Sequence, residues 1–173
     1  MKRILFLVAF AGIALSAIAQ NTNKVGYVST EYILKKIPAY KTAQDQLDKL
    51  SQQYEKEIET KYASLEELYK KYQADKVLLT DDMKQRRENE IITKEKEAKE
   101  LQRQYFGQDG TLDKKKTELL NPVIEQVKNA VKEVATQDGY AVILDITSNP
   151  SVLYTAPRFD LSDKVLGKLG YKN

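Results

Sequence analysis

The chain has 173 residues, of which 31% are charged and 9% aromatic, with eleven tyrosines and no Trp, Cys or His. Without Cys and His there can be no disulfide, thiol or imidazole catalysis, Ser-His-Asp or Cys-His triad, or Cys/His zinc site. Carboxylate chemistry stays formally open, but the Asp and Glu residues alternate with Lys at helical spacing, the pattern of a solvated helix face. No nucleophile–base arrangement or phosphate loop stands out, so the composition points away from an enzyme and implies no cofactor and no metal.

The N-terminus reads as an export signal over residues 1–19. Met1-Lys2-Arg3 is a short positive region, Ile4 to Ile18 an apolar run, and Ala17-Ile18-Ala19 an A-x-A cleavage site. The run is short for a membrane span, which needs about 20 apolar residues, and polar Gln20 to Asn23 follow at once. Loss of Lys2 and Arg3 leaves 26 basic against 25 acidic residues, a net charge of +1. An exported, near-neutral chain is not expected to bind nucleic acid.

Lys24 to Ser29 (KVGYVS) is β-branched and aromatic and reads as a strand. A short helix, Glu31 to Ile37, follows and is ended or kinked by Pro38. From Tyr40 the apolar period becomes helical: Tyr40, Ala43, Leu47, Leu50, Tyr54, Ile58, Tyr62, Leu65, Tyr69, Tyr72. Steps of three and four alternate except between Tyr54 and Tyr62, where consecutive steps of four make a stutter. Glu57–Lys61, Glu66–Lys70 and Glu67–Lys71, and later Glu90–Lys94 and Glu95–Lys99, are spaced for i,i+4 pairing.

Thr80-Asp81-Asp82 supplies N-cap residues for a second helix, with Met83, Ile91, Ala98, Leu101 and Tyr105 inward. Phe106-Gly107-Gln108-Asp109-Gly110 interrupts it. A third helix restarts at Thr111 with a wider apolar stripe, and Asn121-Pro122 implies a kink or a fresh start inside it. Asp138-Gly139 stops it. Tyr140 to Ile146 (YAVILDI) is the most strand-like segment of the chain. Ser148 to Ser151 reads as a turn and Val152 to Thr155 as a partner strand. Asp160 caps a last helix that stops at Gly170.

Pro38 and Pro122 each lie 42 residues from Thr80. Folding the chain there brings the prolines level and the two main strands to the same end. The expected fold is therefore α+β but mainly α: a small β-rich body carrying a long antiparallel helical hairpin. Its divisions are residues 20–39 (body), 40–121 (hairpin, tip near 77–83) and 122–173 (body). The expected body core is Val25, Tyr27, Val28, Leu34, Val142, Ile143, Leu144, Ile146, Val152 and Leu153. Three or so short strands leave open edges and too little core to stand alone, which implies a homo-oligomer assembled through the body.

The order of parts resembles the Skp/OmpH family of periplasmic chaperones. The likeness rests on the Lys24–Val28 opening strand, the charged hairpin, Leu119-Leu120-Asn121-Pro122-Val123, Val131 to Ala135, Gly139 to Asp145 and the short terminal helix. It implies a periplasmic homotrimer whose helical tentacles hold unfolded outer-membrane proteins without ATP. Better-known members are strongly basic, whereas residues 41–105 here carry 14 basic and 15 acidic side chains, so capture of clients or lipopolysaccharide by charge alone is not expected.

Candidate client contacts are Tyr54, Tyr62, Tyr69 and Tyr72 along the stripe and Val77, Leu78, Leu79 and Met83 at the tip. The tyrosines also fit plain helix packing, and the tip residues also fit closure of the turn. Gly107 and Gly110 read either as a hinge or as a bend imposed by the stutter opposite. Lys114-Lys115-Lys116 reads as a solvated helix face or as a contact for anionic lipid headgroups, and an anionic lipid or lipopolysaccharide surface is a further candidate partner of the chain. The alternative function is an envelope adaptor coiled coil that binds one folded partner.

Overall fold

The computed structural model describes residues 24–147 and 151–171. The expected export signal lies outside the described residues, as does most of the turn expected at 148–151. The elements in chain order are β1 (Lys24–Val28), α1 (Thr30–Lys35), α2 (Pro38–Asp75), a 3-10 turn (Lys76–Leu78), α3 (Asp81–Phe106), α4 (Thr111–Asp138), β2 (Tyr140–Asp145), a second 3-10 turn (Pro157–Phe159) and α5 (Ser162–Lys168). They group into two compact units, residues 31–128 and residues up to Thr30 together with those from Asn129 onward. Among the described residues no helix is long and apolar enough to cross a membrane.

In the smaller unit, β1 and β2 form a two-stranded parallel sheet with Val25 opposite Val142, Gly26 opposite Ile143 and Tyr27 opposite Leu144. Parallel neighbours need a long crossover, and here the crossover includes the whole hairpin. Gly139, at φ 71°, turns the chain from α4 into β2. The Asp145 carboxylate accepts hydrogen bonds from the Thr30 hydroxyl (2.6 Å), the Thr30 N–H (3.1 Å) and the Thr147 N–H (3.0 Å). Burial pushes this carboxyl up, but those hydrogen bonds together outweigh it and hold the group below its ordinary value. Two ion pairs, Lys164–Asp138 (2.5 Å) and Lys168–Glu133 (2.9 Å), tie α5 to the end of α4. Tyr27, Val28, Ala130, Val134, Leu161, Val165 and Leu166 are buried in this unit.

The expected strand at Val152–Thr155 does not form. Residues 152–156 carry no regular structure, and Leu153 and Tyr154 are 94% and 83% exposed. A strand needs an edge to pair with. At Tyr27 the second edge of β1 is taken instead by Asp160 in a single bridge and by Leu161, whose N–H donates to the Tyr27 carbonyl at 2.9 Å. Asp160 also accepts from the Ser162 N–H at 2.9 Å, but the N-cap position of α5 is Leu161, one residue later than the cap expected at Asp160.

In the larger unit, Pro38 is the first residue of α2, where its missing N–H costs nothing. The Thr80 hydroxyl accepts from the Met83 N–H (3.4 Å), and Asp81 and Asp82 fill the first turn of α3, favourable at a helix N-terminus. α4 runs unbroken through Pro122, so the sequence's option of a fresh start is not taken. Proline removes one hydrogen bond, to the Glu118 carbonyl. The helix continues because apolar positions on both sides of it, Leu119, Leu120, Val123, Ile124 and Val127, keep one register. Ala43, Leu47 and Leu120 form a buried cluster flanked by Tyr40, Leu112, Leu119 and Ile124. Tyr40 and Leu120 stand forty residues either side of Thr80, as a fold-back there requires.

Of the expected i,i+4 ion pairs, Glu66–Lys70 and Glu95–Lys99 form, each at 2.5 Å. Glu90 pairs with Arg87 and Lys94 with Glu97, both at 2.9 Å, instead of with each other. No Glu57–Lys61 or Glu67–Lys71 bridge forms among the described residues. All the bridges that form in the hairpin are exposed, so each contributes tenths of a kcal/mol at most. Stability therefore resides in the thin apolar stripe. Leu47→Ala is expected to cost about 2–4 kcal/mol in chemical denaturation, whereas Leu78→Ala, at an 82% exposed position, should stay within about 0.5 kcal/mol of the parent.

Candidate functional site

Two helices can bury only one stripe each, and this pair fills its stripe with aromatic rings whose polar ends reach across. The Tyr105 hydroxyl donates to Glu57 Oε2 at 2.5 Å, and Tyr72 donates to Glu88 in a short hydrogen bond. Tyr62 makes a long contact, 3.4 Å, with Gln102 Oε1. Tyr72 and Glu88 stand eight residues either side of Thr80, so this rung records the register of the fold-back. The hydrogen bond from Tyr105, then that from Gln53, holds the Glu57 carboxyl below its ordinary value. The bond to Glu88, aided by burial, pushes the Tyr72 hydroxyl up to about 12.

The four expected stripe tyrosines therefore divide. Tyr54 and Tyr72 are buried, while Tyr62 and Tyr69 are 36% and 52% exposed. The split follows from helix geometry: Tyr54 and Tyr72 point at the opposing limb, and Tyr62 and Tyr69 sit on its flank. At the tip, Val77 and Leu78 are almost fully exposed, Met83 is about half exposed and Leu79 is half-buried. Lys76–Leu78 is a 3-10 turn, so successive side chains fan outward instead of sharing one inward face.

Gly107 and Gly110 sit where the stutter meets the break. Tyr54 stacks on Tyr105 with centroids 4.0 Å apart and meets Phe106 edge-on at 6.4 Å. A side chain at Gly107 would place Cβ 2.4 Å from the Arg103 carbonyl oxygen. At Gly110, Cβ would lie 2.8 Å from the carbonyl oxygens of Gly107 and Tyr105. Both glycines are thus required by backbone crowding, and Asp109 takes φ 56° between them. Of the basic run, Lys115 pairs with Glu118 at 2.7 Å, and Lys114 and Lys116 are exposed.

Of the expected body residues, Tyr27 and Val28 are buried and Leu34, Ile143, Ile146 and Val152 half-buried. Val25, Val142, Leu144 and Leu153 are exposed on the single chain. An open apolar cleft of about 570 Å³ lies among Val25, Tyr27, Leu144, Ile146, Tyr154 and Phe159. Sequence reading missed Ile92, which is 60% exposed. The signal was present: Ile91 and Ile92 are adjacent, and at 100° per residue only one of them can enter a narrow stripe.

A small parallel sheet whose two strands are separated in sequence by a long helical hairpin defines the architecture in outline. The chain belongs to the OmpH-like outer membrane protein family, which it matches over residues 24–169. Its fold is similar to that of a candidate outer membrane chaperone (OmpH-like) from Caulobacter crescentus CB15, solved by crystallography. The TM-score is 0.67 at 17% identity, covering 88% of this chain and 89% of that one. No curated protein matches the chain significantly.

The rungs make the hairpin's stability depend on pH at both ends of the scale. Glu57 has a lowered pKa in the folded state, so its contribution is present above the ordinary carboxylate value of 4.5 and is lost as pH falls through the folded value. Tyr105→Phe should flatten that acid limb in thermal melts followed by circular dichroism. Tyr72 has a raised pKa, so its contribution is full below pH 10 and is lost as pH rises towards 12. Ultraviolet titration should show one tyrosine ionising near pH 12, and Glu88→Gln should return it to the ordinary range.

Proposed function

We propose that the protein is an ATP-independent periplasmic holdase that keeps unfolded outer-membrane proteins between the helical hairpins of a homotrimer. The observation that carries this reading is the exposed apolar tip, Val77, Leu78 and Met83, on a hairpin whose own core is complete without it. A patch that no internal packing needs, on a hairpin bearing no catalytic group, suits weak contact with many chains. Family membership supports the same reading. Self-association is supported by the open cleft beside β1 and β2. Its apolar walls, together with exposed Val142, need cover that a two-stranded sheet does not provide.

Aggregation of a urea-unfolded outer-membrane β-barrel protein should be suppressed without nucleotide, and native mass measurement should give three copies. A monomer that leaves aggregation unchanged sinks the reading. A chain that binds only one folded envelope partner would favour the adaptor alternative.

On this reading the Gly107–Gly110 break is where the hairpin bends to suit clients of different size. It is the one interruption of the limb formed by α3 and α4, and it faces uninterrupted α2. Because a Cβ at Gly107 or Gly110 would meet backbone oxygen, the test keeps both glycines: small-angle scattering of the parent with clients of increasing size should show the hairpins spreading further for larger ones. A hairpin profile that stays the same across client sizes makes the break a fixed bend.

A further inference from the structure

A chain without Cys, Trp or His has few side chains that give up an electron easily. Its two methionines, Met1 and Met83, take up oxygen as sulfoxides, so one-electron oxidation falls on the eleven tyrosines. A phenol is oxidised readily where its proton has somewhere to go, and it forms a bond only where a second phenol lies against it. Tyr54 and Tyr105 meet both conditions. Their rings stack with centroids 4.0 Å apart and planes 12° from parallel, which brings ring carbons into van der Waals contact. The Tyr105 hydroxyl donates to Glu57 Oε2 at 2.5 Å. That bond, then the one from Gln53, holds the Glu57 carboxyl below its ordinary value, so at neutral pH Glu57 is ionised and able to take the phenolic proton.

The other tyrosine rungs each lack one condition. Tyr72 donates to Glu88, but the group over its ring is the Lys76 ammonium, 5.6 Å from the centroid. Tyr62 contacts the amide oxygen of Gln102, which is not a base. Tyr54 and Tyr105 stand twenty-six residues before and twenty-five after Thr80, level in the fold-back and fifty-one positions apart in the chain. Tyr105 is half-buried, so an oxidant in solution reaches its edge. Tyr54 is only 9% exposed and is reached through the ring stacked on it.

We propose that this pair is an oxidative crosslinking site, joined as dityrosine by two equivalents of a one-electron oxidant such as a haem peroxidase with hydrogen peroxide. Tyr105 gives an electron to the oxidant and its hydroxyl proton to Glu57. Tyr54 gives an electron to the oxidant and its hydroxyl proton to solvent. The two phenoxyl radicals couple through ring carbons ortho to oxygen, forming one C–C bond. Each of those carbons then passes its hydrogen to the phenolic oxygen, and both rings regain aromaticity. Two electrons and two protons leave in all, and no oxygen atom is added. The product ties α2 to α3 beside the Phe106–Gly110 break, in a chain that has no cysteine to place a disulfide there. A tie between positions so far apart restricts the unfolded chain and so stabilises the hairpin.

The test oxidises the full chain, as a mixture of isotopically light and heavy copies, with photoexcited tris(bipyridyl)ruthenium(II) and persulfate. Peptide mass spectrometry should find the Tyr54 and Tyr105 segments joined with loss of two hydrogens, light to light and heavy to heavy, several-fold above any other tyrosine pair. Dityrosine fluorescence should appear with it, and the melting midpoint should rise by about 5 °C or more. Unfolding in urea before oxidation should abolish the preference. Tyr54→Phe and Tyr105→Phe should each remove the linked peptide. Glu57→Gln, which keeps an acceptor but no base, should slow linking about tenfold at neutral pH. Links that join light to heavy copies, or the same pattern of pairs in urea as in buffer, overturn the site. An unchanged rate in Glu57→Gln overturns Glu57 as the base.

Discussion

A pair of antiparallel helices has one stripe each to bury and nothing beyond, and this constraint governs the larger unit. The stripe from Ala43 and Leu47 to Tyr54 and Tyr72 is one or two side chains wide. Such a stripe provides little hydrophobic stabilisation per residue and little to fix register, because a heptad slip would bury a similar set. The tyrosines answer both needs. Their rings fill the stripe, and their hydroxyls demand one particular carboxylate on the other limb, Glu57 for Tyr105 and Glu88 for Tyr72. A slipped register would break those hydrogen bonds, which makes the rungs devices of specificity more than of bulk stability.

The same thinness bears on function. A hairpin that cannot bury all its apolar residues must expose the remainder: Val77 and Leu78 at the 3-10 tip, and Tyr62, Tyr69 and Ile92 on the flank of the seam. Balanced charge then keeps the exposed apolar groups from being overlaid by a strong field. Contact with another chain would be many-pointed and weak at each point, which suits holding a polypeptide without fixing its conformation.

The smaller unit shows the complementary problem. Its sheet has two strands that are distant in sequence and depends on the hairpin's fold-back to meet at all. Asp145 ties the end of β2 to the start of α1 through Thr30, so sheet pairing and the entry to the helices are linked in one hydrogen-bonded cluster. The apolar cleft beside the strands is what remains when a small unit lacks the mass to cover itself.

Much of this was legible in the chain itself. Helical spacing, the N-cap at Thr80, the glycine pair and the equal distances of Pro38 and Pro122 determined that there are helices, where they turn and which limbs oppose, because these features act through local sterics and backbone hydrogen bonding. The aromatic meeting of Tyr54 with Tyr105 and Phe106 followed from that register. Tertiary structure alone decided three matters. Asp160 and Leu161, not Val152–Thr155, join β1, because edge pairing depends on which segment arrives there. Pro122 is carried inside an unbroken helix, because apolar positions on both sides share one register. Tyr54 and Tyr72 are enclosed while Tyr62, Tyr69 and Ile92 are left outside, because a few tens of degrees around a helix separate the seam from the flank, and apolar identity alone does not resolve that angle.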